Sequence, residues 1–393
     1  MSTNAWILAG ARTPIGKLLG AFKDFTAPEL ASVAIREALV RADVSAGQVD
    51  EVILGNVLQA GVGQAPARQA ALKGGLPATV PAVTINKVCG SGLKAVMLAS
   101  QAIRAGDAHI VVAGGMESMT RAPHLAMGSR EGWKYGDVTL RDAMIVDGLW
   151  CGIENCAMGQ HAEYTGRTCG VSRDDMDRFS LESQRRAAQA IAAKAFEEEI
   201  VPVKVRQRKE EILVSQDEGP RPETTLEGLA RLKPAFDEKG TVTAGNSSMI
   251  SDGAAALVVG DDEAARESPA PWKARIVASF TSGMEPRDLF VAPVLAVKGA
   301  LRKAGLTTND IDLFEINEAF AVQMVACVRQ LEIDPAKVNV NGGAIALGHP
   351  IGASGARVLC TLLAALKARG LKRGLASLCL GGGNAVAMIV ERP

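Results

Sequence analysis

The sequence predicts a duplicated α/β fold with a long region inserted between two similar halves. The first observation is a repeated helix start: residues 27–31 read Ala-Pro-Glu-Leu-Ala, and residues 292–296 read Ala-Pro-Val-Leu-Ala. Each opens an amphipathic helical stretch that is followed by an Asp and an apolar, strand-like run. The two halves therefore share a structural unit.

A second pair of segments follows in the same order in each half. A Ser-Gly dipeptide precedes a helical stretch at residues 91–92 and again at residues 354–355. Each helix leads to an apolar strand closed by glycines, at residues 110–115 and 375–383. Alternating helices and strands with short Gly-rich turns are typical of mostly parallel α/β architecture, which we expect in both halves.

The region between the halves differs in composition and is rich in charge and turns. After it, the apolar run at residues 251–259 predicts a buried strand that rejoins the first sheet. We place the linker between the halves near residues 269–271. The predicted domains are an N-terminal domain of residues 1–119 plus 248–270, an inserted loop domain of residues 120–247 and a C-terminal domain of residues 271–393.

Length and composition exclude several classes of protein. A chain of 393 residues exceeds the size at which one hydrophobic core stops growing. The 43 basic and 43 acidic residues balance, which argues against a nucleic-acid partner. No apolar run approaches the roughly 18 residues that span a membrane, and the first twelve residues lack a secretory pattern. We therefore expect a cytoplasmic protein without a membrane partner.

The cysteines predict reduced thiols. Their number is odd and no Cys-x-x-Cys pair occurs, which fits neither a disulfide framework nor a zinc site, so no metal is expected. Most reduced cysteines are inert core residues, so a reactive one must be argued from its neighbourhood. The seven are Cys89, Cys151, Cys156, Cys169, Cys327, Cys360 and Cys379.

Cys89 is the first candidate for chemistry. It follows an alternating, strand-like stretch and precedes Gly-Ser-Gly at residues 90–92, where a helix begins. The free N–H groups of the helix start favour a thiolate, and glycines allow an acyl group to approach the backbone. From this segment alone, a buried structural cysteine beside a tight turn is the alternative.

His349 lies in a Gly-rich loop, residues 341–355, before the corresponding helix of the second half. The glycines follow neither the Walker nor the Gly-x-Gly-x-x-Gly spacing, so a nucleotide loop is weakly supported. His349 alone fits a turn histidine held by backbone groups. The internal repeat, however, places it opposite Cys89, and a base beside a thiol is the pairing that activates a cysteine nucleophile.

Two further segments end predicted strands of the second half. Cys379 precedes three glycines, and Asn317 is followed by Glu-Ala-Phe. Ligands in open α/β sheets gather at the carboxyl ends of strands, so both segments are candidates for the site. A core thiol and a helix cap are the alternative interpretations.

These motifs, in this order, resemble the thiolase family over essentially the whole chain. They are Val-Cys-Gly-Ser-Gly at residues 88–92, Asn-Glu-Ala-Phe at 317–320, Gly-His-Pro-Ile-Gly at 348–352 and Cys-Leu-Gly-Gly-Gly at 379–383. The resemblance implies a duplicated five-layered α/β/α/β/α core with an inserted loop domain, and homodimers or homotetramers. Cys-Gly-Ser-Gly is more similar to biosynthetic members than to degradative ones.

The resemblance also implies the chemistry: two acetyl-CoA molecules condense reversibly to acetoacetyl-CoA and CoA, without a cofactor. Cys89, deprotonated by His349, would form an acyl-enzyme, and Cys379 would take the α-proton of the second acetyl-CoA. One oxyanion hole would use His349 with a water held by Asn317. The other would use the backbone N–H groups of Cys89 and Gly381.

Coenzyme A and the acyl group would be bound by residues of the loop region and of the second half. The implied set is Arg221, Ser248, Met158, Ala319, Phe320 and Leu289, although Arg221 equally fits a solvated surface charge.

Three departures from the family pattern leave the substrate open. Ala157 stands where family members commonly have His, and Gly228 stands where they commonly have Ser. The run that contains Phe290 replaces a pattern like Met-Gly-x-Gly-Pro. Two alternatives remain. One is a degradative thiolase that cleaves longer 3-ketoacyl-CoA, and the other is a non-catalytic scaffold that binds acyl-CoA.

Overall fold

The structure is a computed structural model that describes residues 3–207, 210–270 and 272–393. Outside it lie the first two residues, two residues of the predicted loop domain, and Pro271 of the predicted linker. The strands are β1 Trp6–Arg12, β2 Gly16–Lys17, β3 Glu51–Gly55, β4 Ala82–Ile85, β5 Ile110–Ser118, β6 His124–Leu125, β7 Arg141–Asp142, β8 Trp150–Cys151, β9 Cys156–Ala157, β10 Val203–Gln207, β11 Glu210–Val214, β12 Ser251–Gly260, β13 Ala274–Gly283, β14 Leu313–Ile316, β15 Arg373–Leu380 and β16 Asn384–Glu391.

The helices alternate with these strands in both halves of the chain, and a π-helical turn, Met144–Leu149, precedes β8. They are α1 Ala27–Ala42, α2 Pro66–Lys73, α3 Ser91–Ala105, α4 Met158–Cys169, α5 Arg173–Ala192, α6 Leu226–Ala230, α7 Asp262–Glu267, α8 Ala292–Ala304, α9 Ala321–Leu331, α10 Ala344–Leu347 and α11 Ser354–Ala368. No described helix is both long enough and apolar enough to cross a membrane.

The repeated helix start found in the sequence is a repeated structure. Both α1 and α8 carry Pro in the first turn, where its missing N–H costs no helical hydrogen bond. Thr26 and Glu29 add a capping box to α1. Asp43 ends α1 and Gly305 ends α8, each in the left-handed conformation that stops a helix.

The main sheet repeats one strand order in its two halves. The full order is β14-β15-β16-β13-β1-β12-β5-β3-β4, with β2 also paired to β12. The order β3-β5-β12-β1 in the first half matches β14-β15-β16-β13 in the second, and only a short β1–β13 ladder joins them. The predicted return of β12 is confirmed, because it pairs with both β1 and β5.

Three groups of helices complete five layers. Helices α1 and α2 pack on the outer face of the first half-sheet, and α8 and α9 pack on the outer face of the second. Helices α3 and α11 lie between the half-sheets in a shared core that includes Leu93, Val111, Leu359 and Leu378. The predicted five-layered α/β/α/β/α fold is confirmed.

The prediction of mostly parallel sheets is wrong. Among the described strands of the main sheet, only β3–β4, β3–β5 and β14–β15 run parallel. Parallel neighbours need a crossover connection, whereas β16 follows β15 through the short glycine turn at residues 381–383 and must run antiparallel. Helix-strand alternation in a sequence does not reveal such returning strands.

Residues of the inserted region cover the second half of the core. Helices α4 and α5 pack against α9, with Ala162 and Met176 beside Val322 and Ala326. The inserted region thus packs closely on the core. The three domain boundaries stay a prediction from the sequence.

Candidate active site

A cavity of about 830 Å³ opens where the two half-sheets meet beneath the inserted region. Its volume suits a small-molecule ligand. The starts of α3 and α11 and the end of β15 reach it from the core, and residues around α4 and α6 close it from the inserted region. The topology therefore brings loops from both repeats and the insert to one place.

A tight turn presents Cys89 to this cavity. Val88 has φ +47°, a conformation that a β-branched residue rarely adopts and that marks local strain. The Ser91 hydroxyl holds the turn, because it donates to the Val88 carbonyl oxygen at 2.7 Å and accepts the Lys87 N–H at 2.8 Å. Cys89 is thus fixed directly before α3.

Burial opposes ionisation of the Cys89 thiol. Burial raises its pKa to about 12, and the nearby Glu117 carboxylate acts in the same direction. The N–H groups of Cys89 and Gly381 lower the pKa but do not offset burial. Desolvation of the sulfur thus opposes the thiolate that the helix start favours, and a sequence does not reveal that desolvation.

His349 is held as a neutral base. Burial and the charge of Arg357 lower its pKa to about 3. Its Nδ1 lies 2.5 Å from the Ser354 hydroxyl oxygen, which donates its own proton to the Pro350 carbonyl at 2.8 Å. Nδ1 must therefore carry the ring proton, and Nε2 has a free lone pair. The Asn317 amide nitrogen lies 3.4 Å from Nε2.

Cys379 is the second thiol of the cavity, at the end of β15. Its pKa lies well above the usual range because of burial and because the Cys89 sulfur is close enough to oppose a second charge. The thiol donates to the Gln323 amide oxygen at 3.6 Å. Two neighbouring thiols of this kind accommodate one negative charge between them, not two.

The structure brings most residues predicted from the sequence to the wall of this cavity. Asn317 is fully buried behind His349, and Arg221 is exposed at the rim. The residues on the wall are Cys89, His349, Cys379, Gly381, Arg221, Ser248, Met158, Ala319, Phe320 and Leu289.

Models of known protein families match nearly the whole chain. A model of the thiolase N-terminal domain matches residues 5–263, and a model of the thiolase C-terminal domain matches residues 270–392. The chain belongs to the thiolase family. Thiolase motifs thus supply both thiols and the imidazole of the cavity.

Named thiolase relatives match along nearly the whole chain. An acetyl-CoA acetyltransferase of Cupriavidus necator is 54% identical over 391 residues, which is 99% of this chain and 100% of that protein. One of Pseudomonas aeruginosa is 51% identical over 387 residues, 98% of each. The crystal structure of the Bacillus anthracis acetyl-CoA acetyltransferase is similar with a TM-score of 0.97, 41% identity and 99% coverage of each chain.

Sequence reasoning missed three side chains that support this thiolase site. Ser354 orients His349, and Gln323 contacts Cys379 and also donates to the Asn317 carbonyl at 2.9 Å. Their signals in the sequence are weak: a serine five residues after the histidine, and one polar residue within the apolar stretch 321–328.

Glu117 is the third missed residue and lies under the loop that carries His349. Its carboxylate accepts N–H groups of Val57 and Leu58, at 3.0 and 3.1 Å, and of Gly352 in the His349 loop, at 2.9 Å. Burial nevertheless raises its pKa to about 7. Glu117 therefore ties the loop after β3 to the loop that carries His349.

The departures from the family pattern differ in their position. Phe290 is buried and lines the cavity, with its ring 5.1 Å from that of Phe320, which in turn lies 6.1 Å from Phe236. Ala157 lines the cavity with a methyl group where an imidazole is common. Gly228 lies in α6, and no wall position is found for it. One side of the cavity is thus walled by aromatic rings.

Proposed function

We propose that this thiolase is an acetyl-CoA acetyltransferase that condenses two acetyl-CoA to acetoacetyl-CoA and CoA, and catalyses the reverse thiolysis. One observation carries the proposal: two neutral thiols and one neutral imidazole meet in a single cavity. The names of the full-length relatives support the same reaction. Coenzyme A thioesters are substrates in this scheme, and no cofactor enters it.

The first half-reaction forms an acetyl-enzyme. The Cys89 sulfur attacks the thioester carbonyl while His349 Nε2 takes the thiol proton, as a neutral thiol requires. The N–H groups of Cys89 and Gly381 stabilise the oxyanion. Cys379 gives its proton to the leaving sulfur, so CoA departs as a thiol and the site holds an imidazolium and one thiolate.

In the second half-reaction, the Cys379 thiolate acts as a base and the His349 imidazolium acts as an acid. The Cys379 thiolate takes the α-proton of a second acetyl-CoA, and the resulting enolate attacks the acetyl group on Cys89. The protonated Nε2 of His349, with a water held by Asn317, stabilises the enolate oxygen. The acetoacetyl product leaves as Cys89 regains its proton from His349, which restores the resting site.

Binding is assigned to the remaining wall residues. Arg221 at the exposed rim suits the phosphates and adenine of CoA, and Ser248 suits the pantetheine arm. Leu289, Phe290 and Phe320 form an apolar wall beside Cys379 that suits a short acyl chain. Met158 and Ala319 complete this wall.

A chain-length comparison tests the substrate. We expect thiolysis of acetoacetyl-CoA to exceed that of 3-ketooctanoyl-CoA at least about tenfold in kcat/KM, because a longer chain meets the aromatic wall. A flat profile would instead support a degradative thiolase of broad range. Absence of thiolysis with either substrate would support a non-catalytic acyl-CoA-binding scaffold.

We also propose a cytoplasmic homodimer or homotetramer. A segment of the inserted region exposes several large apolar side chains, which a second copy of the chain would cover. Light scattering of the purified protein tests this proposal, since a monomeric mass would contradict it. The exposed side chains are Met127, Trp133, Tyr135, Val138 and Leu140.

A further inference from the structure

Three metal-ligating side chains meet beside the cavity, and the proposed thiolase reaction uses none of them. Glu154, Cys156 and His161 each offer one ligand atom within 4.8 Å of the other two. The Cys156 sulfur lies 3.2 Å from His161 Nε2, and a Glu154 oxygen lies 3.8 Å from His161 Nδ1. We propose that these three residues bind a divalent transition-metal ion, best matched by Zn²⁺.

Local structure explains why the three side chains converge. Strands β8 and β9 pair Cys151 with Cys156 and fold the four-residue turn between them, which carries Glu154, back over the hairpin. Helix α4 begins two residues after Cys156, so His161 lies one turn into that helix and points at the same place. A hairpin and a helix start therefore fix the three donors before any ligand arrives.

The donor set selects the class of ion. One sulfur, one imidazole nitrogen and one carboxylate oxygen match Zn²⁺ and Co²⁺, whereas Mg²⁺ and Ca²⁺ prefer oxygen ligands alone. Three protein ligands leave a fourth, tetrahedral position for solvent. Cys156 and Glu154 are partly exposed, so an ion can enter from solvent.

The Glu154 carboxylate supplies a negative charge that attracts a cation. Arg287, 3.4 Å from Glu154, is the cation that this carboxylate contacts in the structure. On binding, the Cys156 thiol releases its proton to solvent.

The site would act on the wall of the cavity. Trp150, Ala157 and Met158 flank the cluster in sequence and line the cavity. A bound ion would fasten the β8–β9 hairpin to α4 along this wall. Sequence spacing gives little warning, since Glu-x-Cys followed by His five residues later is not a familiar zinc pattern.

Titration of the chelator-treated protein with Co²⁺ tests the site without any substrate, so it is independent of the proposed reaction. We expect one Co²⁺ per chain, a thiolate-to-cobalt absorption band in the near ultraviolet, and its displacement by Zn²⁺. Cys156→Ala should abolish the band, and His161→Asn should weaken binding at least about tenfold.

Two variants with other thiols removed, Cys89→Ala and Cys169→Ala, serve as matched controls and should keep the band. Circular dichroism checks that each variant is folded. If the His161→Asn variant is not folded, the Glu154→Gln variant is tested in its place. Absence of the band from the unsubstituted protein would overturn the proposal. So would a band that persists in Cys156→Ala or disappears in a control.

Discussion

The Nδ1 atom of His349 lies 2.5 Å from the hydroxyl oxygen of Ser354, five residues further along the same loop and helix. Because this hydroxyl donates to the Pro350 carbonyl, it accepts from Nδ1 and leaves Nε2 as the basic atom. Ser354 thus acts on the reaction through the tautomer of His349. It is a positioning residue, not a group that touches substrate.

Replacing Ser354 should impair the base more than the binding of substrate. Ser354→Ala removes the acceptor of Nδ1–H, which costs about 1–2 kcal/mol in a buried site and predicts a fall of about tenfold or more in kcat, with KM little changed. Steady-state thiolysis measures both constants. Ser180→Ala is the matched control, since Ser180 is also buried and donates to a backbone carbonyl, in α5. An equal loss in both variants would reject the positioning role.

The neutral Cys89 thiol predicts an absence of thiolate near neutral pH. With a pKa of about 12, Cys89 ionises only as pH rises far above 9, and His349, with a pKa of about 3, does not protonate above pH 5. The difference in ultraviolet thiolate absorbance between the unsubstituted protein and Cys89→Ala should stay near zero from pH 6 to 9. A constant thiolate signal over this range would instead indicate a resting thiolate-imidazolium pair.

Glu117 predicts a specific dependence of stability on pH. Its folded pKa of about 7 exceeds the ordinary value of 4.5, so its contribution is complete below pH 4.5 and is lost as pH rises through 7. Glu117→Gln should remove this contribution to the pH dependence. Urea unfolding at pH 5 and pH 8 should show a smaller loss of stability in the variant. Identical losses in the two proteins would contradict the raised pKa.

Phe290 predicts where chain-length selectivity resides. Phe290→Leu shortens the aromatic wall and should raise the ratio of kcat/KM for 3-ketooctanoyl-CoA over acetoacetyl-CoA about tenfold. Phe22→Leu removes an equally buried ring outside the cavity and controls for loss of stability alone. An unchanged ratio in Phe290→Leu would place the selectivity elsewhere.

The sequence predicted the parts of the fold and site that depend on local pattern. The helix starts of α1 and α8, the return of β12 and the loops of Cys89 and His349 are all visible in short segments. Strand direction was not visible, because β16 follows β15 with no helix between them and β12 returns only after the whole inserted region. The sequence also did not reveal the burial that raises the pKa values of the two thiols.

Contacts between distant segments account for the rest. Glu117 meets Gly352, 235 residues away, and Gln323 meets Cys379, 56 residues away. Such pairs depend on how the two half-sheets pack, which a single sequence does not specify. The same packing buries Cys89 and so changes its pKa in a direction that the helix start alone would not predict.

Intact-protein mass spectrometry after brief exposure to acetyl-CoA tests the central claim most directly. We predict one acetyl adduct on the unsubstituted protein, none on Cys89→Ala, and release of the adduct when CoA is added. An adduct that persists in Cys89→Ala, or no adduct on the unsubstituted protein, would contradict covalent catalysis by Cys89.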